Sequence, residues 1–287
     1  MPNQRAKPTL RRRRLGGLLR GFRTDAGLTV DAAAKAIGWQ HSKVSNIENA
    51  KAHLPVKDVA ELLRIYDVTD PHVVQALEGL AKDSGKQGWW ATYTDTITQG
   101  YADYISLETD ATILRTYNPG IVHGLLQTGA YAREIIAGTN TTRSPDEVMA
   151  LAEIRKARQS IISRPERRLT VWSVIHESAL RHRTAAMQGQ IRHLIDLLDL
   201  PSITLQIMPV DSTVHPGLNG PFDLFEFPDP WPNVVNVETL RGGVLVERQE
   251  DAAVYATAFE RIVAAALPVE DTRDILTAIL EGNSIAQ

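Results

Sequence analysis

The chain has 287 residues, 43% of them hydrophobic and 23% charged, and no cysteine. Its length suggests about two domains. The missing thiols exclude disulfides, thiol catalysis and Cys-rich zinc sites, which suits a reducing, cytoplasmic setting. No apolar run approaches the roughly 20 residues of a membrane span, and the early segment RRRRLGGLLRGFR, interrupted by Arg20 and Arg23, does not read as a signal peptide. The net charge of −3 is unevenly spread. Residues 1–86 carry 15 Lys and Arg against 9 Asp and Glu, a net of +6; residues 87–287 carry 16 against 25, a net of −9. A basic first third on an acidic remainder is the footprint of a nucleic-acid module joined to something else.

Residues 1–9 contain two prolines and read as a disordered basic arm, with Lys7 and then Arg11 to Arg14 placed to reach phosphates. Leu15, Leu18, Leu19 and Phe22 repeat at i, i+3, i+4 and i+7, which predicts a helix over about 10–26, closed by Gly27. Thr29 to Asn49 reads as two short helices joined at Gly38. The first has Val30, Ala33, Ala34 and Ile37 on one face and Thr29 at its N-cap. The second buries only Val44 and Ile47, and offers Gln40, His41, Ser42, Lys43, Ser45 and Asn46 outward. So short a helix cannot stand alone, and its polar face is built to touch something. The helix-turn-helix does this, laying its second helix in the DNA major groove. Val59, Leu62, Leu63 and Tyr66 mark a fourth helix, and Asp70-Pro71 opens a fifth. The expected domains are a helix-turn-helix domain over 10–83, a linker over 84–88 and a second domain over 89–287.

The second domain opens on Trp89, Trp90 and Tyr93, read as packing groups, with Trp89 and Trp90 secondarily as ligand or partner contacts. A short helix over 101–107 and a strand over 111–117 follow. Helices are expected over 124–136, with Thr128 as a cap, and over 144–163. Strands are expected over 169–176, 203–210, 222–227, 234–239 and 244–247, the last two flanking a hairpin turn at Arg241-Gly242-Gly243. Leu180 to Leu198 reads as a helix that brings Arg181-His182-Arg183 and Arg192-His193 together. Two helices, over about 250–266 and 268–281, close the chain. The overall expectation is multidomain: an all-α five-helix N-terminal domain plus a C-terminal α+β domain with a mainly antiparallel sheet.

Catalytic signals are absent. His176-Glu177 and His182 lack the i, i+4 spacing of a zinc helix, and there is no nucleophile elbow, phosphate loop or dinucleotide fingerprint. No catalytic residue, metal ligand or cofactor is assigned, and the chain is read as a non-enzyme. The loop His215-Pro216-Gly217-Leu218-Asn219-Gly220-Pro221 is rich in turn formers. It reads as a strand connection, with His215 as the residue to test for ligand contact.

The pattern Leu15-Gly16-x-x-Leu19-Arg20-x-x-Arg23, Ala26-Gly27-Leu28-Thr29, Ala33-Ala34, Gly38 and Ser42-Lys43-Val44-Ser45-x-Ile47-Glu48 resembles the phage-repressor-like (XRE-type) helix-turn-helix family. The resemblance implies a double-stranded DNA operator, with Gln40, His41, Ser42, Ser45 and Asn46 facing base edges and Lys43 at a base or phosphate. It also implies a structural ion pair between Arg23 and Glu48. Two residues depart from the pattern. Val30 replaces a common Gln, passing its contact to Thr29 or Arg20, and Ala50 stands where Gly is usual, which costs on the order of 1 kcal/mol if that residue is left-handed. A second set is similar to the C-terminal domain of many actinomycete regulators: Trp89-Trp90, Tyr104-Ile105-x-Leu107-Glu108, Ile113 with Tyr117, Gly124-Leu125-Leu126-Gln127-Thr128-x-x-Tyr131-Ala132-Arg133 and His215-x-Gly217-x-x-Gly220-Pro221-Phe222. His123 stands where that pattern usually has Pro. This resemblance implies a transcriptional regulator, often encoded beside a small partner protein, and supplies no ligand. A homodimer is expected from geometry, since one short helix covers few base pairs and two half-sites about one turn apart give specificity, and its C-terminal domain is expected to receive a signal from a small-molecule effector or a small partner protein. The alternative the resemblance carries is an antitoxin-like protein that sequesters that partner and autoregulates its operon.

Overall fold

Helix ends in the N-terminal region are written in capping residues. The computed structural model describes residues 8–86, 88–93, 96–139, 143–163, 169–240 and 242–282. The helices of the first region are α1 (Leu10–Asp25), α2 (Val30–Ile37), α3 (His41–Glu48), α4 (Val56–Ile65) and α5 (Pro71–Asp83). The Thr9 hydroxyl accepts from Arg12 N at 3.2 Å, Thr29 from Ala32 N at 3.1 Å and the Asp70 carboxylate from His72 N at 2.8 Å, satisfying amides that would otherwise be orphaned. Gly38, at φ 73°, turns the chain between α2 and α3 in the left-handed conformation that glycine adopts without strain. Leu15 and Leu19 of α1, Ala33 and Ile37 of α2, Ile47 of α3 and Leu62 and Leu63 of α4 close one core. Each large aliphatic side chain there contributes about 1.5–3 kcal/mol by leaving water. The expected basic arm lies outside the described residues up to residue 7. Ser84, at the start of the expected linker, is buried, and its carbonyl accepts from the Thr9 hydroxyl at 2.6 Å.

Two compact units divide the chain, Met1–Thr92 with Asp229–Trp231 and Tyr93–Pro228 with Pro232–Gln287. The second unit contains α6 (Gln99–Asp110), β1 (Ile113–Asn118), α7 (Gly129–Thr139), α8 (Pro145–Ser163), β2 (Thr170–His176), α9 (Met187–Leu197), β3 (Ile203–Met208), β4 (Phe222–Glu226), β5 (Val234–Thr239), β6 (Gly242–Val246), α10 (Gln249–Ala265) and α11 (Thr272–Leu280). Its six-stranded sheet runs β3-β2-β1-β4-β5-β6. β1–β2 and β2–β3 are parallel, while β1–β4, β4–β5 and β5–β6 are antiparallel. The sheet is therefore mixed, correcting the mainly antiparallel expectation. The cause is that helices separate β1 from β2 and β2 from β3, and such crossovers return the chain in the same direction. Tyr117, Phe222, Leu224 and Val235 pack one face against Phe259 and Ile262 of α10. No single described helix is long and apolar enough to cross a membrane.

Two helix expectations are corrected. The segment 124–136 is broken into a 3-10 turn, Gly124–Leu126, and α7, because the Gln190 side chain takes the Thr128 amide and the Leu126 carbonyl. The segment 180–198 is helical only from Met187. Glu177, in the 3-10 turn Glu177–Leu180, pairs with Arg181, and His182 bonds the Gly120 carbonyl at 2.7 Å, so the basic cluster does not share a helix face with Arg192-His193. The hairpin turn at Arg241 lies outside the described residues, although β5 and β6 pair across it.

Candidate nucleic-acid interface

The position of α3 is fixed from its buried side. Arg23 of α1 clamps Glu48 at its end: Nε donates to Oε1 at 2.6 Å and Nη2 to Oε2 at 2.9 Å. The remaining Arg23 nitrogen, Nη1, donates to the Leu28 carbonyl at 2.7 Å, and the Tyr66 hydroxyl approaches Glu48 Oε1 at 3.5 Å. Both ions are buried, with Glu48 5% exposed. The hydrogen bond to Glu48 raises the Arg23 guanidinium above its ordinary pKa, and burial raises that of Tyr66. A bidentate pair of this kind sets direction as well as distance. Gly16 lets the helices come close, because a Cβ there would lie 2.6 Å from the Glu48 carbonyl oxygen and 2.8 Å from that of Ile47.

On the opposite side of α3, Gln40, His41, Ser42 and Asn46 are exposed, and Lys43 and Ser45 are half-buried. Gln40 occupies the N-cap position without spending its side chain on a cap. Several of the expected DNA-binding side chains already hold partners. His41 Nδ1 lies 2.6 Å from Asp31 Oδ1. Lys43 folds back, with Nζ 3.3 Å from Asp58 Oδ2 and 3.3 Å from the centroid of the Trp39 ring. Arg20 Nη2 donates to the Glu48 carbonyl at 3.0 Å and to Asn49 Oδ1 at 2.7 Å, closing the C-terminal end of the helix. Asn49 in turn donates to the Ser45 carbonyl at 2.7 Å. Thr29 is occupied as the α2 cap, and Val30, at the first position of α2, is half-buried. The left-handed residue after α3 is Ala50, at φ 58°, while Asn49 stays at φ −93°.

Asp31, Trp39, Asp58 and Asn49 were not among the expected site residues. Their only sequence signal is position: Asp31 in the first turn of α2, Trp39 in the turn, and Asp58 in the first turn of α4. The expected contacts elsewhere are less open. Trp89 and Trp90 meet edge to face, 6.0 Å apart, half-buried in the 3-10 turn Trp89–Tyr93. His215 is buried, its ring edge-on to Tyr117, and Nδ1 accepts from the Gly217 amide at 3.1 Å. Among the described residues no three His, Asp or Glu gather to hold a metal.

A three-sided clamp with an exposed polar edge is the working part of a helix-turn-helix. Residues 14–77 match the family model of a helix-turn-helix domain. Residues 101–278, more than half the chain, match that of a domain of unknown function (DUF5753). No curated protein matches the chain. The chain therefore belongs to the DUF5753 family and carries, ahead of that domain, an XRE-like helix-turn-helix of the DNA-binding regulator kind.

Proposed function

We propose that the protein is a sequence-specific transcriptional regulator that reads double-stranded DNA with α3, and that its C-terminal domain dimerises it and receives a signal. The observation that carries this reading is the asymmetry of α3: Arg23, Glu48 and Gly16 lock one side, while Gln40, His41, Ser42 and Asn46 stay exposed on the other. Locking before contact lowers the ordering cost of binding. Gln40 and Asn46 can each pair with adenine N6 and N7, and His41 and Lys43 can donate to guanine. Lys43 has to leave Trp39 and Asp58 to do so. Arg20, at the C-terminal end of α3, is the nearest candidate for a phosphate.

A homodimer follows from geometry, since one short helix covers few base pairs and two half-sites about one turn apart supply specificity. The cytoplasm is the compartment in which such a protein meets its operator, and no catalytic step is assigned to the C-terminal domain. Replacing Gln40 or Asn46 by Ala should cost about 1–3 kcal/mol of operator binding and relax specificity at particular base pairs. Footprints and binding-site maps unchanged by both substitutions would overturn the recognition-helix assignment.

A further inference from the structure

The two edges of the six-stranded sheet are finished differently. At one edge β3 is buried along most of its length, and carbonyls that face away from β2 are taken: Leu267 N donates to Ile207 at 2.9 Å and the Thr272 hydroxyl to Leu205 at 2.9 Å. At the other edge lies β6, GGVLV, with Gly242, Gly243 and Val244 exposed. Among the described residues, its backbone shares hydrogen bonds only with β5, including the Thr239 hydroxyl. It carries neither the charge nor the proline that usually protects an edge, and an open edge is a template for another strand. The register says which groups are open. Thr239 and Gly242 pair across a two-residue connection, so they form a hydrogen-bonded pair, and the pairs then alternate. Val237–Val244 and Val235–Val246 are the next hydrogen-bonded pairs, so Gly243 and Leu245 turn their N–H and C=O groups away from β5. Val244 stands between them, opposite Val237 on the face that packs against α10, and is still 55% exposed.

This edge is complementary to itself. An antiparallel second β6, related by a two-fold axis at Val244, sets Gly243 of each copy against Leu245 of the other. Every outward N–H and C=O of those residues is then used, and the two Val244 side chains meet at the closest cross-strand spacing, about 4.5 Å between Cα atoms. The charges agree with that direction. Glu247 and Arg248 follow the strand, so antiparallel copies carry them to opposite ends of the contact, whereas parallel copies would set each against its like. A five-residue edge covers less than the roughly 800 Å² per partner of a standard interface. The free dimer is therefore weak, dissociating in roughly the micromolar range, and two half-sites on one operator hold it together.

We infer that the open β6 edge takes the β6 strand of a second copy of this chain, joining the two sheets across a two-fold axis at Val244. The interface rests on the reading of the C-terminal domain as the dimerising one and gives that contact its residues. It includes none of the residues assigned to DNA.

The test uses the full chain, which has no cysteine, so a single introduced thiol reports the axis. Val244→Cys should give a disulfide-linked dimer under mild oxidation, because only at the axis do identical residues face each other within bonding distance. Leu240→Cys, fully exposed but off the axis, should cross-link far more slowly. By sedimentation, the wild type should show a concentration-dependent monomer–dimer equilibrium. Val244→Glu sets two carboxylates face to face and should weaken the dimer at least about tenfold. Leu245→Pro removes an outward N–H without touching the β5 ladder and should weaken it about tenfold, through the loss of one hydrogen bond from each copy. Both variants should keep wild-type affinity for an isolated half-site, which controls for folding. Cross-linking as fast at Leu240 as at Val244, or a dimer indifferent to Val244→Glu and Leu245→Pro, overturns the β6 interface and leaves the dimer standing. A chain that stays monomeric both free and on its mapped operator overturns the dimer reading as well.

Discussion

The Lys43 ammonium lies 3.3 Å from the centroid of the Trp39 ring, turned inward and held there by Asp58 at 3.3 Å. Both ends of the ion pair are partly solvated, with side-chain exposures of 41% and 18%, so the pair is worth at most about 1 kcal/mol, with a similar contribution from the indole. That energy must be given up when Lys43 reaches for DNA. Asp58→Asn should therefore tighten operator binding about two- to fivefold at moderate salt, partly by removing a negative charge near the phosphates. Fluorescence anisotropy against labelled operator measures it. An unchanged or weaker affinity would mean that Lys43 stays on Trp39 in the complex.

Glu48 buries a charge held by two hydrogen bonds from Arg23, with Arg20 Nε a more distant cation at 3.8 Å. Glu48→Ala leaves the guanidinium buried with the Leu28 carbonyl as its remaining partner, and breaking one side of such a pair costs about 3–5 kcal/mol. Urea unfolding of the variant should show that loss, and operator binding should fall with it because α3 loses its tether. Removing both partners with Arg23→Met and Glu48→Leu should recover most of the stability. A loss below about 1 kcal/mol for the single variant would place the pair among the solvated ones.

The N-terminal helices were legible in the sequence because their signals are local. The stripe Leu15, Leu18, Leu19 and Phe22, the turn at Gly38 and the Asp70-Pro71 start each lie within one element or its cap. The Arg23–Glu48 pair is 25 residues apart in the chain and was available only through family resemblance. Strand positions in the second unit were readable from alternation, but strand direction was not, since it depends on which distant strand each one meets. Gln190 shows the limit most clearly. It breaks an apolar stretch that reads as one helix by bonding Thr128 and Leu126, 62 and 64 residues away. The partners of Lys43 and His41 on α3 are tertiary in the same way, so residue type announced a polar face without showing which of its side chains were already engaged.

Ala50 carries the left-handed turn after α3, at φ 58°, and is buried. A left-handed conformation costs an L-residue about 1–2 kcal/mol that glycine avoids. Ala50→Gly gives back part of that through a lost buried methyl, about 0.8 kcal/mol. The net expectation is a gain of up to about 1 kcal/mol. Asn49, at φ −93°, needs no such relief and bonds Ser45 and Arg20, so Asn49→Gly should lose about 1 kcal/mol. Opposite signs from adjacent glycine substitutions, read by chemical denaturation, identify the strained residue. Stabilisation by Asn49→Gly would contradict this turn geometry.

Three histidines in the second unit share one arrangement, and it makes stability depend on pH. His123, His176 and His215 each precede a 3-10 turn and accept its backbone amide at Nδ1: from Leu125 at 3.3 Å, Ser178 at 3.2 Å and Gly217 at 3.1 Å. An accepting Nδ1 cannot carry a proton, so each bond requires the neutral ring. Burial is the main force lowering all three pKa values. Asp223 and Glu108 oppose it at His123, where Arg158 and Arg155 reinforce it; Glu177 opposes it at His176; and His176 adds to the lowering at His215. With folded values below the unfolded value of about 6.5, this contribution is complete above that pH. It is lost progressively as pH falls from about 6.5 towards the folded values, where the unfolded chain takes up protons that the folded one refuses. The melting temperature should therefore drop between about pH 7 and pH 5.5, above the range in which ordinary carboxylates titrate. Replacing the three histidines by Asn, whose carbonyl can accept the same amides without titrating, should flatten that slope while leaving a folded protein near pH 7. If the variant keeps the wild-type slope, the acid sensitivity resides in other groups, among them His193, whose pKa burial also lowers, and the three caps do not titrate as a set.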